Sequence, residues 1–185
     1  MSLTQYYTAT TLDGFIADPN HSLEWLFTRN QDRGGLLNYN EFIAGVGVLA
    51  MGSTTYEWVL GHEFDGKDVS EWKWPYGIPS WVFTHRDLTV VPNADLRFTS
   101  AEITTVHAEM AAAAGGRNVW IVGGGDLAGQ FADAGLLDEV IVYIAPVTLG
   151  AGSPLLPRRI ELRPEEIGRN GDFVAARYSV VGALA

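Results

Sequence analysis

Cysteine is absent from the 185 residues, which removes disulfides, thiolate nucleophiles and thiolate metal sites together. Basic residues are scarce: 12 lysines and arginines stand against 22 aspartates and glutamates, for a formal charge of −10. A net field of that sign repels phosphate backbones and anionic lipid, so neither nucleic acid nor a membrane surface is an expected partner. Any phosphate must then be held by local groups. No basic-then-apolar leader stands at Met1–Gln5, and no apolar run approaches the roughly 20 residues of a membrane span, so a cytoplasmic location is expected. The histidines His21, His62, His85 and His107 are scattered without i, i+4 pairing, which leaves no expected zinc site. There is no G-x-S-x-G elbow and no Walker phosphate loop, and neither repeats nor low-complexity linkers divide the chain. One domain over residues 1–185 is the expectation.

What is present is a succession of apolar and β-branched runs at Gln5–Thr10, Val46–Met51, Ser80–Thr84, Val119–Val122 and Glu139–Pro146, which read as strands. Helical spacing lies between them, in Leu36, Leu37, Phe42 and Ile43, in Tyr56, Val59 and Leu60, and in Ile103, Val106 and Met110. Strands alternating with helices predict a three-layer α/β fold, a mostly parallel twisted sheet with helices on both faces. The tail differs: Ile160–Ile167 and Phe173–Val181 are strand-like and joined by Gly168–Asp172, which predicts an antiparallel C-terminal pair. Gly61–Pro79, crowded with Trp72, Trp74 and Tyr76, reads as an irregular loop.

In an open parallel sheet the ligand crevice lies beyond the carboxyl ends of the strands. Five segments sit directly after strands and so share one rim: Asp13-Gly14, Gly52-Ser53-Thr54-Thr55, Thr84-His85-Arg86, Gly123-Gly124-Gly125 and Pro146–Gly152. The strongest is Val119–Leu127, where an apolar strand runs into three glycines and a helix-like segment, because side-chain-free residues admit a ligand to the backbone and a helix N-terminus attracts phosphate. Taken singly, each segment has a plainer explanation. Ser53, Thr54 and Thr55 suit a helix cap, Arg86 a solvated surface arginine, Asp13-Gly14 a turn, and Asp126 a cap or dipole partner. The shared rim is what favours a site.

These residues resemble the dihydrofolate-reductase-like fold, and more narrowly the stand-alone relatives of the reductase (C-terminal) domain of the bifunctional riboflavin-biosynthesis deaminase-reductase. The likeness is carried over Gln5–Leu156 by Thr11–Ala17, Met51–Glu57, Val82–Arg86, Ile121–Leu127 and Ala145–Leu155. It implies an oxidoreductase with a nicotinamide cofactor, NADPH by preference and NADH or a flavin nucleotide as alternatives, lying across the rim. Val122, Gly123, Gly124, Gly125, Asp126 and Leu127 would meet the pyrophosphate and nicotinamide side, with an unusual peptide bond between adjacent glycines. Gly52, Ser53, Thr54 and Thr55 would meet phosphate oxygens. Thr84, His85 and Arg86 would hold the adenosine end, Arg86 reading the 2′-phosphate, while Ala9 and Ile16 flank the nicotinamide.

Departures from that pattern also carry information. Ser53 stands where dihydrofolate reductases commonly have arginine, Asp126 where a cation is frequent, and Leu36 at the position of the folate-protonating acid. Phe15 replaces the lysine usual after Asp-Gly in the riboflavin-type reductases. Dihydrofolate and phosphoribosyl compounds are therefore not the expected substrates. A small, pyrimidine- or pterin-like molecule is, with Asp13 as the candidate catalytic residue and Trp58, Leu149, Gly150 and Gly152 as further substrate contacts. A catalytically silent nucleotide-binding module is the alternative. The alternation of Phe173, Ala175, Arg177 and Ser179 against Val174, Ala176, Tyr178 and Val180 suits a strand covered by a second subunit, and predicts a homodimer.

Overall fold

Residues 2–184 are described by a computed structural model. The apolar runs form the parallel strands β1 (Thr4–Thr11), β3 (Val46–Gly52), β4 (Ser80–Phe83), β6 (Asn118–Gly123) and β7 (Glu139–Ala145). A short β2 (Phe15–Ala17) and β5 (Leu96–Thr99) intervene, and β8 (Ser153–Pro154), β9 (Ile160–Asn170) and β10 (Phe173–Ala183) complete the chain. Eight strands form the main sheet in the order β5-β4-β3-β6-β1-β7-β10-β9, parallel from β5 to β7, with β10 antiparallel to both β7 and β9. Strand β2 pairs with β8 in a separate small antiparallel sheet.

The central strands are buried on both sides, and their alternation divides the core in two. Val48, Ala50, Val119 and Ile121 face α4 (Ile103–Ala113) and α5 (Gly125–Asp133), whose Val106, Met110 and Phe131 pack against them. Leu49, Met51, Trp120 and Ile141 face the opposite layer. That layer contains α1 (Glu24–Phe27), α2 (Tyr39–Ala44) and α3 (Ser53–Phe64), with Tyr56 fully buried. Three layers with an antiparallel tail match the expected fold class.

Four local expectations change. The spacing through Leu36 and Leu37 overstates α2, because Asn38 caps the helix by accepting from the Glu41 N–H at 3.0 Å and Leu37 lies at φ 57°, outside the helical region. The tail connection is shorter than Gly168–Asp172: β9 runs through Asn170, and Gly171-Asp172 alone makes the turn. Strand β5 has only four residues, too short for its Leu96/Phe98 alternation to stand out. The Gly61–Pro79 loop begins later, since α3 continues to Phe64 and Val69–Glu71 adds a 3₁₀ turn.

Candidate functional site

Strand β6 ends in the glycine corner, and the backbone there shows why glycine is needed. Gly124 adopts φ 98° and ψ 94°, a conformation that side chains strongly disfavour. A Cβ on Gly125 would collide with the carbonyls of Pro154 and Leu155, so only glycine lets α5 start directly beneath β8. Among the described residues there is no cis peptide bond, so the expected unusual bond between adjacent glycines is replaced by this twisted trans corner.

Two helices begin at the rim without side-chain caps. Gly52 is the N-cap of α3 and Gly124 that of α5, and neither can supply a hydroxyl or carboxylate acceptor. Ser53, Thr54 and Thr55 are the first residues of α3 itself, which removes the plain capping explanation for them. Asp126 does not cap α5 either; its carboxylate accepts from Gln130 Nε2 at 2.9 Å and from Arg158 Nη2 at 2.9 Å. No side-chain cap therefore answers the first N–H groups of either helix, which are the groups that attract an anion.

Two cavities meet at these helix starts. The inner one, about 360 Å³, has a floor of Val122 and Gly123–Asp126 and walls that include Ile16, Thr54, Thr55 and Trp58. The outer one, about 560 Å³, is bounded by Gly52–Thr55, Thr84–Arg86 and Leu127. Thr54, Thr55, Gly124 and Asp126 line both, so the two form one continuous groove, mostly apolar at the inner end and mixed polar and apolar at the outer. Trp58 is held in place by ring stacking on His62 at 4.7 Å between centroids, and Phe27 of α1 stacks on the same histidine at 5.2 Å.

The outer end carries the one arginine of the groove. Arg86 grips Glu57 of α3 with both prongs of its guanidinium, Nη1–Oε1 at 3.1 Å and Nη2–Oε2 at 2.7 Å. At the glycine corner the charge of Asp126 is answered by Arg158, which also binds Asp133 at 2.6 Å. Arg158 lies across α5 above Gly129, where a Cβ would come within 2.8 Å of its side chain. The hydrogen bond from Gln130, then that from Arg158, keeps the Asp126 carboxyl below its ordinary range.

Not every expected site residue reaches the groove. Asp13, Leu149, Gly150 and Gly152 lie outside both cavities. The Asp13 carboxylate accepts from the Thr11 hydroxyl at 2.6 Å, from the Leu149 N–H at 3.0 Å and from the Gly150 N–H at 2.7 Å. It is a clasp between the loops after β1 and β7. Gly152 abuts the Ala17 carbonyl with no room for a Cβ, which seats β8 against β2 and so positions Ile16. Ala9 lies in a neighbouring chamber and not in the groove. Of the aromatic loop residues, Tyr76 alone lines the inner cavity, while Trp72 stacks on Phe64 and Trp74 bonds Ser80. Ser153 and Pro154, within the Ala145–Leu155 stretch that carries the likeness, also line it, as do His21 and Leu23, which no local pattern marks.

Residues 4–166 match the family described as the RibD C-terminal domain. The chain is 30% identical over 182 residues to the uncharacterized protein YwjB of Bacillus subtilis (strain 168), covering 95% of this chain and 96% of that protein. A solved structure of a protein assigned to riboflavin biosynthesis from Shewanella sp. PV-4 superposes with a TM-score of 0.77 at 24% identity, over 96% of this chain and 98% of that one. The riboflavin biosynthesis reductase Rib7 of Saccharomyces cerevisiae superposes with a TM-score of 0.62 at 14% identity, over 97% and 90% of the respective chains. The two structures share the fold.

Proposed function

The chain belongs to the RibD C-terminal domain family, and from that premise we infer that it is a reductase that binds a reduced nicotinamide nucleotide, NADPH by preference, along the rim groove and reduces a small heterocyclic substrate. The observation that carries this reading is the convergence of two helix N-termini without side-chain caps on a glycine corner, inside a groove that is apolar at one end and more polar at the other. The residues present fit the group. The N–H groups opening α3 and α5, with the Thr54 and Thr55 hydroxyls, would hold a pyrophosphate, and Thr84, His85 and Arg86 would receive the adenosine end. Ile16, Val122 and Trp58 would wall the nicotinamide, which when bound supplies hydride.

The chain's own contribution is geometric and electrostatic. The Asp13 clasp and the β2–β8 pairing hold Ile16 over the cavity, and stacking on His62 and Phe27 braces Trp58 as its wall. Arg158 offsets the Asp126 carboxylate that an incoming phosphate would otherwise meet. The engagement of Asp13 by three donors supports a positioning role and favours, as second reading, a groove that binds nucleotide without turnover.

A thermal-shift comparison of NADPH, NADH, NADP and FMN tests the assignment, since a ligand bound only by the native state raises the melting temperature by mass action. NADPH is expected to give the largest shift. No shift with any nicotinamide nucleotide at millimolar concentration would overturn the reading.

A further inference from the structure

Beyond the inner cavity, and sharing Thr8, Leu23 and Val122 with it, lies a chamber of about 250 Å³. Its walls are aromatic. Tyr7 and Tyr143 lie 5.7 Å apart between centroids, Tyr39 and Trp120 5.9 Å, and Phe173 meets Tyr143 edge-on at 5.7 Å. No residue lining it carries a charge. Two of its three phenols are already committed, Tyr7 donating to the Leu37 carbonyl and Tyr143 to that of Leu36. Burial raises the proton affinity of both, so they stay neutral. The Gln31 side chain is itself hydrogen-bonded to the Tyr7 and Tyr143 hydroxyls, which leaves the Tyr39 hydroxyl as the polar contact for a guest. Arg29 and Arg169 line a different cavity that has only Phe173 in common with this one, and the Phe173 side chain is buried.

We propose that this chamber receives a neutral, planar heteroaromatic ring of one or two fused cycles that bears no phosphate or carboxylate. The proposal rests on the reductase reading, and names the class of substrate that would lie beside the nicotinamide. Three features point to it. A charged group here would meet no counter-ion among the lining residues and would give up part of its hydration, whereas a neutral ring loses little. Flat aromatic walls reward offset or edge-on contact with a flat guest. The volume falls below the roughly 300–1,000 Å³ of sites for drug-sized ligands, which suits a compact ring without a sugar-phosphate arm.

The test is a titration of the full chain with pterin, uncharged at pH 7, against pterin-6-carboxylate, the same ring with one charge, by calorimetry in the presence and absence of NADPH. Pterin is expected to bind at least about tenfold more tightly than the carboxylate. Gln31→Arg, a change at an exposed side chain, is expected to reverse that order, and Tyr39→Ala to weaken pterin several-fold. Equal binding of both compounds, tighter binding of the carboxylate, or binding of neither would overturn the proposal, whatever NADPH does. Selective pterin binding by a protein that NADPH neither binds nor stabilises would instead leave the chamber standing and remove the reductase reading.

Discussion

Arg86 and Glu57 form a two-pronged ion pair, at 3.1 and 2.7 Å, that ties the loop after β4 to the first half of α3 at the more polar end of the groove. The arginine expected to read a 2′-phosphate is therefore already occupied by a carboxylate. Both side chains are about half exposed, so the pair contributes little to folding, about 0–1 kcal/mol. Its consequence is for cofactor choice. Glu57→Gln is expected to tighten NADPH several-fold and leave NADH nearly unchanged, while Arg86→Ala weakens NADPH roughly tenfold or more, because charge-assisted hydrogen bonds contribute about 1.5–3 kcal/mol. Equilibrium titration of both nucleotides against the two variants checks this.

Arg158 is expected to act on nucleotide binding through Asp126. Arg158→Met exposes the Asp126 charge to any bound phosphate and should weaken NADPH several-fold. Adding Asp126→Asn should recover most of that loss, since the neutral amide no longer repels. Additive effects in the double-mutant cycle would show that the two side chains do not communicate.

Two glycines on the helices that open at the groove should respond in opposite directions. Gly125→Ala drives a methyl into the carbonyls of Pro154 and Leu155 and is expected to cost about 1–3 kcal/mol in chemical denaturation. Gly61 lies within α3 with open space where a Cβ would sit, so Gly61→Ala should add about 0.5–1 kcal/mol of stability by limiting the unfolded chain.

Asp13 predicts a pH dependence. The Thr11 hydroxyl, followed by the Gly150 and Leu149 N–H groups, holds its carboxyl below the ordinary range. A group whose folded pKa is depressed stabilises the protein fully above its unfolded value, about 3.9, and loses that contribution as pH falls through the folded value. The stability difference between the native chain and Asp13→Asn should thus be largest at neutral pH and shrink as the pH falls below about 4. A difference that is constant from pH 7 to pH 3 would dissociate the clasp from the ionised carboxylate.

Buried polar contacts predict where the segment before α2 is anchored. The Asn170 side chain accepts from the Asp32 N–H at 2.8 Å and donates to the Leu36 carbonyl at 3.0 Å and to the Tyr143 hydroxyl at 3.1 Å. Asn170→Ala leaves the Asp32 N–H without its partner, while the Leu36 carbonyl and Tyr143 hydroxyl keep each other, and should cost about 1–3 kcal/mol. Hydrogen exchange should then accelerate first at Asp32.

Strand and helix periodicities, the glycine corner and the order of the rim segments were all legible locally, because side chains two or three to four residues apart decide which face of an element is apolar. The start of α2 at Asn38 and the Gly171-Asp172 turn lie where one cap or turn residue outweighs the periodicity around it, and the four residues of β5 are too few to show an alternation at all. For the groove itself, the amino-acid sequence placed Gly52–Thr55, Thr84–Arg86 and Gly123–Leu127 on a common edge, since parallel strands with crossover helices present their carboxyl ends together. It could not reveal that Asp13 clasps a loop 136 residues away, that Arg158 neutralises Asp126 from 32 residues downstream, or that Tyr7, Tyr39, Trp120, Tyr143 and Phe173 enclose one uncharged chamber. Those relationships belong to the tertiary structure alone: a side chain's charge partner and the walls around a cavity are set by which distant segments pack together, and no local spacing encodes that distance.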